Sequence, residues 1–293
     1  MSTIPKLANA WIFLNEDEPT INGNPVGYND PQSSYQRLIN QNIYQSVDIL
    51  FLCFAVTVPT NDATIPAGNG SFYTLQMGES SHPDGLTNQD YMNKIIADGR
   101  RNNPNLKIAL TLLWGKDDTI TNVFANTNYT AQQNADNFAA NLVAYLNYYD
   151  LDGFDIDWEF PISTATSQEQ FQLLFTSIGK QFKAQTDKKY YLTLSPASVD
   201  NLDPTTVNNY FDFVALQLYS GFTNPSDFIQ AGVNQNLLAY GAKFESNFQT
   251  ADNAFQEAQK LGYSTYTTWR LNSGNFEYEQ DQQVALHQLV FPA

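Results

Sequence analysis

The chain has 293 residues, of which 15% are charged, and its formal net charge is -16. Such acidity speaks against nucleic acid and anionic membrane surfaces as partners, because both require a basic face, and leaves a neutral polar ligand as the better fit. With only His82 and His287 as histidines and Cys53 as the one cysteine, a histidine-based triad or multi-histidine metal site finds no support, and an intrachain disulfide is impossible.

The N-terminal segment 1–11 lacks a basic region followed by a long apolar core, and no apolar run approaches the roughly 18 residues of a membrane span. Neither a signal peptide nor a spanning helix is predicted. The compartment stays open: cytoplasmic, exported by another route, or extracellular after loss of a signal. Apolar strand-like runs then recur with helical patterns between them, the sign of βα units around a parallel sheet. Strands are read at 10–14 and 47–58, the second so continuously apolar that both its faces must be covered. Cys53 within it reads as a small buried hydrophobe. Residues 59–88 are rich in Gly, Pro, Asn and Ser, too long for an ordinary connection, and read as a functional loop at the active-site end.

A helix over 90–100 leads to a third strand at 106–113, and a helix over 135–148 leads to a fourth, acidic strand ending near residue 159. A helix over 167–183 follows, then strands at 190–194, 213–218, 237–242 and 264–269, with later helices at 249–260 and 279–290. Eight strands alternating with helices predict a single (β/α)8 TIM barrel domain over residues 1–293. Only residues 243–263 separate the last two strands and a helix fills them, so no α+β insertion domain is expected there.

Tyr149 to Pro161 reads Y-D-L-D-G-F-D-I-D-W-E-F-P. Asp155, Asp157 and Glu159 recur at every second residue, with Phe154, Ile156 and Trp158 between them, which is the period of a strand with one acidic and one apolar face. The apolar residues are large enough to need burial, so the carboxylates point inward or at a cleft. Spaced at about 6.6 Å, they repel one another, and burial disfavours their charged forms. At least one should hold a proton near neutral pH, as a general acid must. On these residues alone, a polar barrel lining or a metal-binding edge stands beside catalysis. Strand ends converge in a barrel, which makes Gln217 and Tyr219 on the sixth, Trp269 on the eighth and Trp114 after the third further candidates, each equally readable as an ordinary barrel or core residue.

D-G-F-D-I-D-W-E, from Asp152 to Glu159, resembles the D-G-x-D-x-D-x-E signature of glycoside hydrolase family 18, the chitinases and endo-β-N-acetylglucosaminidases. The resemblance implies an endochitinase cleaving β-1,4-linked N-acetylglucosamine polymers by a retaining, substrate-assisted mechanism. It implies Glu159 as the acid, Asp157 as acceptor of the acetamido N–H, and Asp155 behind it, sharing a proton or hydrogen bond. Tyr219 is implied at the acetamido oxygen, with Gln217 beside it. Trp269 is implied as the floor under the cleaved sugar, and Trp114 as a sugar platform or a plug. No metal or organic cofactor is implied, the partner is a carbohydrate, and a monomer is expected. Two alternatives are an endo-β-N-acetylglucosaminidase acting on N-glycans and a catalytically weak chitin- or sugar-binding barrel. The chain departs from the family pattern at Thr111-Leu112-Leu113-Trp114-Gly115, where S-x-G-G is usual, and at Ser220, where many chitinases carry Asp.

Overall fold

The structure, a computed structural model, describes residues 6–15, 20–21, 24–63, 72–113, 118–246 and 248–292. Strand β1 (Leu7–Phe13) leads through α1 (Ser34–Asn40) to β2 (Ile49–Pro59), and α2 (Asn88–Asn102) leads on to β3 (Lys107–Leu112). Then come α3 (Ala131–Tyr148), β4 (Gly153–Trp158), α4 (Gln168–Ala184), β5 (Tyr191–Pro196), α5 (Pro204–Tyr210) and β6 (Phe213–Leu216). The chain ends with α6 (Pro225–Ala231), β7 (Leu238–Lys243), α7 (Ala251–Leu261), β8 (Thr265–Trp269) and α8 (Phe276–Val290). The sheet order is β1-β8-β7-β6-β5-β4-β3-β2, and β1 also pairs with β2, so the ladder returns to its start as a (β/α)8 barrel. No helix among the described residues is long and apolar enough to cross a membrane.

Three of the four longest described helices begin where the sequence supplies reciprocal caps: Thr87 with Asp90, Thr130 with Gln133 and Ser167 with Gln170. Three helices escape a reading by hydrophobic period because each spans only seven residues. Two of them are nonetheless announced by Asp203-Pro204 and Asn224-Pro225, a capping side chain followed by a proline whose missing N–H costs nothing there. The segment 59–88 is also not all loop. Tyr73–Met77 runs antiparallel to β2, in register from Ala55 opposite Met77 to Pro59 opposite Tyr73. The Gly- and Asn-rich surroundings hide this short β-forming run.

The chain gathers into two compact units, one of Met1–Phe54, Gly78–Ile108 and Ala239–Ala293, the other of Ala55–Met77 and Ala109–Leu238. In the first, Trp11 stacks on its register partner Phe51 with ring centroids 4.6 Å apart. There α8 docks through polar side chains. Gln280 donates to the carbonyls of Ser34 and Leu271, and Gln283 to those of Ala8 and Ser46. Both glutamines are fully buried. The buried amide nitrogens thereby find acceptors on the backbone.

In the second unit β4 is flanked in parallel by β3 and β5, with Asp155 opposite Thr111 on one side and Thr193 on the other. Its apolar face is sealed by α4: Trp158 meets Phe171 edge-on at 5.1 Å, and its indole N–H donates to the Asp200 carbonyl at 2.9 Å. Gly153 starts the strand where there is no room for a side chain. A Cβ there would sit 2.7 Å from the Tyr191 carbonyl oxygen and 3.3 Å from the Ala109 Cβ. Gly153→Ala is therefore expected to cost about 1–3 kcal/mol, the usual penalty of overpacking. Equilibrium urea unfolding reads it, and a variant as stable as the parent would show that β4 and β5 can part without cost.

Candidate active site

Asp155 sits at the centre of β4, fully buried. A carboxylate withdrawn from water needs donors, and the strands on either side supply them. Thr193 Oγ1 donates at 2.6 Å, Ser195 Oγ lies 3.1 and 3.0 Å from the two oxygens, and Thr111 Oγ1 donates at 3.2 Å. Burial nevertheless outweighs these bonds, and the Asp155 carboxyl is pushed up to about 6. Two residues on, Asp157 is 8% exposed. Burial raises its carboxyl well above the usual range. The charge of Glu159, a side-chain hydrogen bond to Glu159 and the charge of Asp155 push the same way, and the Gln217 amide partly opposes them. The raised carboxyl of Asp157 favours its protonated form beside Glu159. Glu159 itself lies just past the strand end and is part-exposed.

Gln217 ties the acids together. Its Nε2 donates to Glu159 Oε1 at 2.7 Å and Asp157 Oδ1 at 2.9 Å, and it lies 3.1 Å from the Ser195 carbonyl oxygen. The structure thus brings Asp155, Asp157, Glu159 and Gln217 into one polar cluster. Two details differ from the sequence reading. β6 ends at Leu216, and Leu218–Ser220 form a 3-10 turn, so Gln217 and the part-exposed Tyr219 do not share a strand face. The hydrogen bonds of Asp155 go to the hydroxyls of its register partners Thr111 and Thr193 and of Ser195, while Asp157 turns toward Glu159 and Gln217. Thr193 and Ser195 were legible as alternating polar positions in Y-L-T-L-S-P, but they carry no charge to draw attention.

Trp269, at the end of β8, belongs to the first unit, where its ring centroid lies 6.0 Å from that of Phe13 and 6.3 Å from that of Phe54. The Arg270 guanidinium stands 5.4 Å from the Trp269 ring centroid. Trp114, with Gly115 beside it, lies outside the described residues.

The raised Asp155 value links to stability. Because the folded-state value of about 6 lies above the ordinary 3.8, folding favours the protonated form. Asp155 contributes stability in full below about pH 4 and loses it as pH rises through about 6. Asp155→Asn removes that titration. Relative to the variant, the parent should lose on the order of 2–3 kcal/mol between pH 4 and 7. Urea unfolding of both proteins across that range checks it, and a stability difference independent of pH would overturn the assignment.

The fold is shared with solved structures of low sequence identity. A class V chitinase from Nicotiana tobaccum superposes with a TM-score of 0.67 at 13% identity, over 98% of this chain and 99% of that one. A GH18 chitinase from Cycas revoluta in complex with (GlcNAc)3 gives 0.60 at 13% identity, over 97% and 98%. A chitinase-like agglutinin from Robinia pseudoacacia gives 0.60 at 14% identity, over 97% and 98%. The sequence model for "Glycosyl hydrolases family 18" matches residues 24–288, a span that holds the whole carboxyl cluster. With that span matched and the barrel in place, this chain belongs to glycosyl hydrolase family 18.

Proposed function

We propose that this protein is an endochitinase, hydrolysing β-1,4-linked N-acetylglucosamine polymers with retention and with the substrate's own acetamido group as nucleophile. The observation that carries the reading is the Asp157–Glu159 pair beside the strand end, bridged by Gln217, with burial raising the Asp157 carboxyl toward its protonated form. A buried acid coupled to a part-exposed one suits a step that needs first an acid and then an anion.

Glu159, the more exposed partner, takes the proton from Asp157 and gives it to the glycosidic oxygen as the C1–O bond breaks. The acetamido carbonyl oxygen attacks C1 and forms an oxazolinium ion. Asp157, now an anion, accepts the acetamido N–H and balances the positive charge, and Tyr219 steadies the acetamido oxygen. Water then attacks C1 and passes its proton back to Glu159, so the second inversion restores the starting configuration. These residues need no metal or organic cofactor for such a route. Carbohydrate is further supported by exposed aromatic faces next in the chain to these groups, Phe160 at 73% and Phe222 at 86% exposure. Flat aromatic rings suit the apolar face of a pyranose.

The likeness to an agglutinin favours a second reading, a sugar-binding barrel with little turnover. Retention of Glu159 and Asp157 speaks against it, because binding alone has no need of a shared proton. Incubation with chitin oligosaccharides and, separately, with a high-mannose glycopeptide, followed by mass spectrometry, separates these readings from an endo-β-N-acetylglucosaminidase. Chitin fragments are the expected product. Glu159→Gln should lower kcat by about 10²–10⁴-fold while sugar binding persists. A variant within about threefold of the parent rate, under roughly 1 kcal/mol, would move the acid elsewhere. Comparable hydrolysis of a plain glucose polymer would exclude substrate assistance.

A further inference from the structure

Building on that reading, we propose that Gln217 is a positioning residue: it holds Asp157 and Glu159 face to face, and acts on the reaction through those carboxyls rather than by gripping the sugar. Its amide is committed before any substrate arrives. Three oxygens, from Glu159, Asp157 and the Ser195 backbone, lie 2.7, 2.9 and 3.1 Å from its nitrogen. Three acceptors around one terminal atom identify it as the nitrogen. That nitrogen carries only two hydrogens, so it has none to spare for a ligand. The side chain is also 8% exposed, which leaves little surface for a sugar to touch.

The consequence is electrostatic. The titratable groups bonded to the amide are Asp157 on β4 and Glu159 just past its end, with Asp155 acting on Asp157 from deeper in the strand, so the charges acting on Asp157 are both acids. Strands β3 and β5 bring the hydroxyls of Thr111, Thr193 and Ser195, and β6 leads into Gln217 itself, with Tyr219 two residues on. Burial and the neighbouring acids both drive a proton onto Asp157. A donor aimed at both carboxyls favours their ionised forms and works the other way. Gln217 therefore keeps the pair from taking up a second proton, and its loss should move both ionisations of the pair upward, as properties of the pair rather than of one residue.

Two variants test this. Gln217→Met keeps the side-chain length and removes both donors; Gln217→Glu keeps the shape and replaces the donor with an acceptor. Carboxyl ¹³C NMR of protein labelled at Asp and Glu follows the titration directly, whether or not the protein turns over substrate. The expected result is an upward shift of roughly one pH unit for Gln217→Met, the worth of about one charge-assisted hydrogen bond, and a larger one for Gln217→Glu. In the pH profile of kcat/KM on a chitin tetrasaccharide, both limbs should move the same way, with kcat falling more than KM rises. Unmoved carboxyl titrations with a raised KM alone would make Gln217 a sugar contact and overturn the proposal. Should Gln217→Met not fold, Gln217→Glu carries the same measurement. If the parent leaves chitin oligosaccharides intact, the enzymatic reading fails while the titrations still decide the role of Gln217.

Discussion

The burial of carboxylates on β4 is the constraint around which the second unit is arranged. Asp155 has no exposure at all, and an acid in that position is tolerable only if it is neutral or well supplied with donors. The structure uses both remedies in part: three hydroxyls meet the oxygens, yet the carboxyl still rises to about 6. Asp157 has fewer donors and acids on both sides, and its carboxyl is raised well above the usual range. Glu159 stands beyond the strand end and reaches solvent. One pattern of alternate acids thus becomes three environments by depth alone, which is how residues of one type come to hold different proton states.

The frame that makes this possible is the parallel register of β3, β4 and β5. A polar residue at every second position of β4 faces a polar residue on β5, Asp155 opposite Thr193 and Asp157 opposite Ser195. A slip of one residue would turn Leu192 and Leu194 toward the acids and leave them without donors. Gly153 lets β4 approach β5 at its start, and Trp158, wedged against Phe171 and bonded to Asp200, anchors its far end. The acids are precise in place because the apolar face behind them is.

Much of this was legible in the sequence, for physical reasons. The barrel follows from apolar runs and helices in alternation, and the acidic strand from a period of two unbroken from Phe154 to Glu159. What stayed hidden were features without a period or a charge. The strand Tyr73–Met77 is short and set among turn-forming residues. The helix α8 buries Gln280 and Gln283, which a reading by hydropathy assigns to solvent. The 3-10 turn at Leu218–Ser220 breaks an alternation that F-V-A-L-Q-L-Y continues on paper. The donors Thr193 and Ser195 were visible as residues, but their partner was not, because register between strands belongs to tertiary structure.

The choice of an amide at residue 217 follows from what the acid pair must retain. A lysine or arginine reaching the same point would also satisfy both carboxylates, and would bind them more strongly, since a full charge within about 4 Å favours ionisation far more than a neutral donor does. On the proposed route it would thereby strip the pair of the proton to be transferred. An apolar residue would leave the proton but release the geometry, and the two acids would turn apart or take up a second proton. A neutral donor of glutamine's length lies between these failures: its nitrogen lies within hydrogen-bond reach of both carboxyls and the Ser195 carbonyl, yet it adds no charge to the acid cluster. Of the uncharged side chains, only the amides of asparagine and glutamine offer two donors on one atom, and glutamine is the longer.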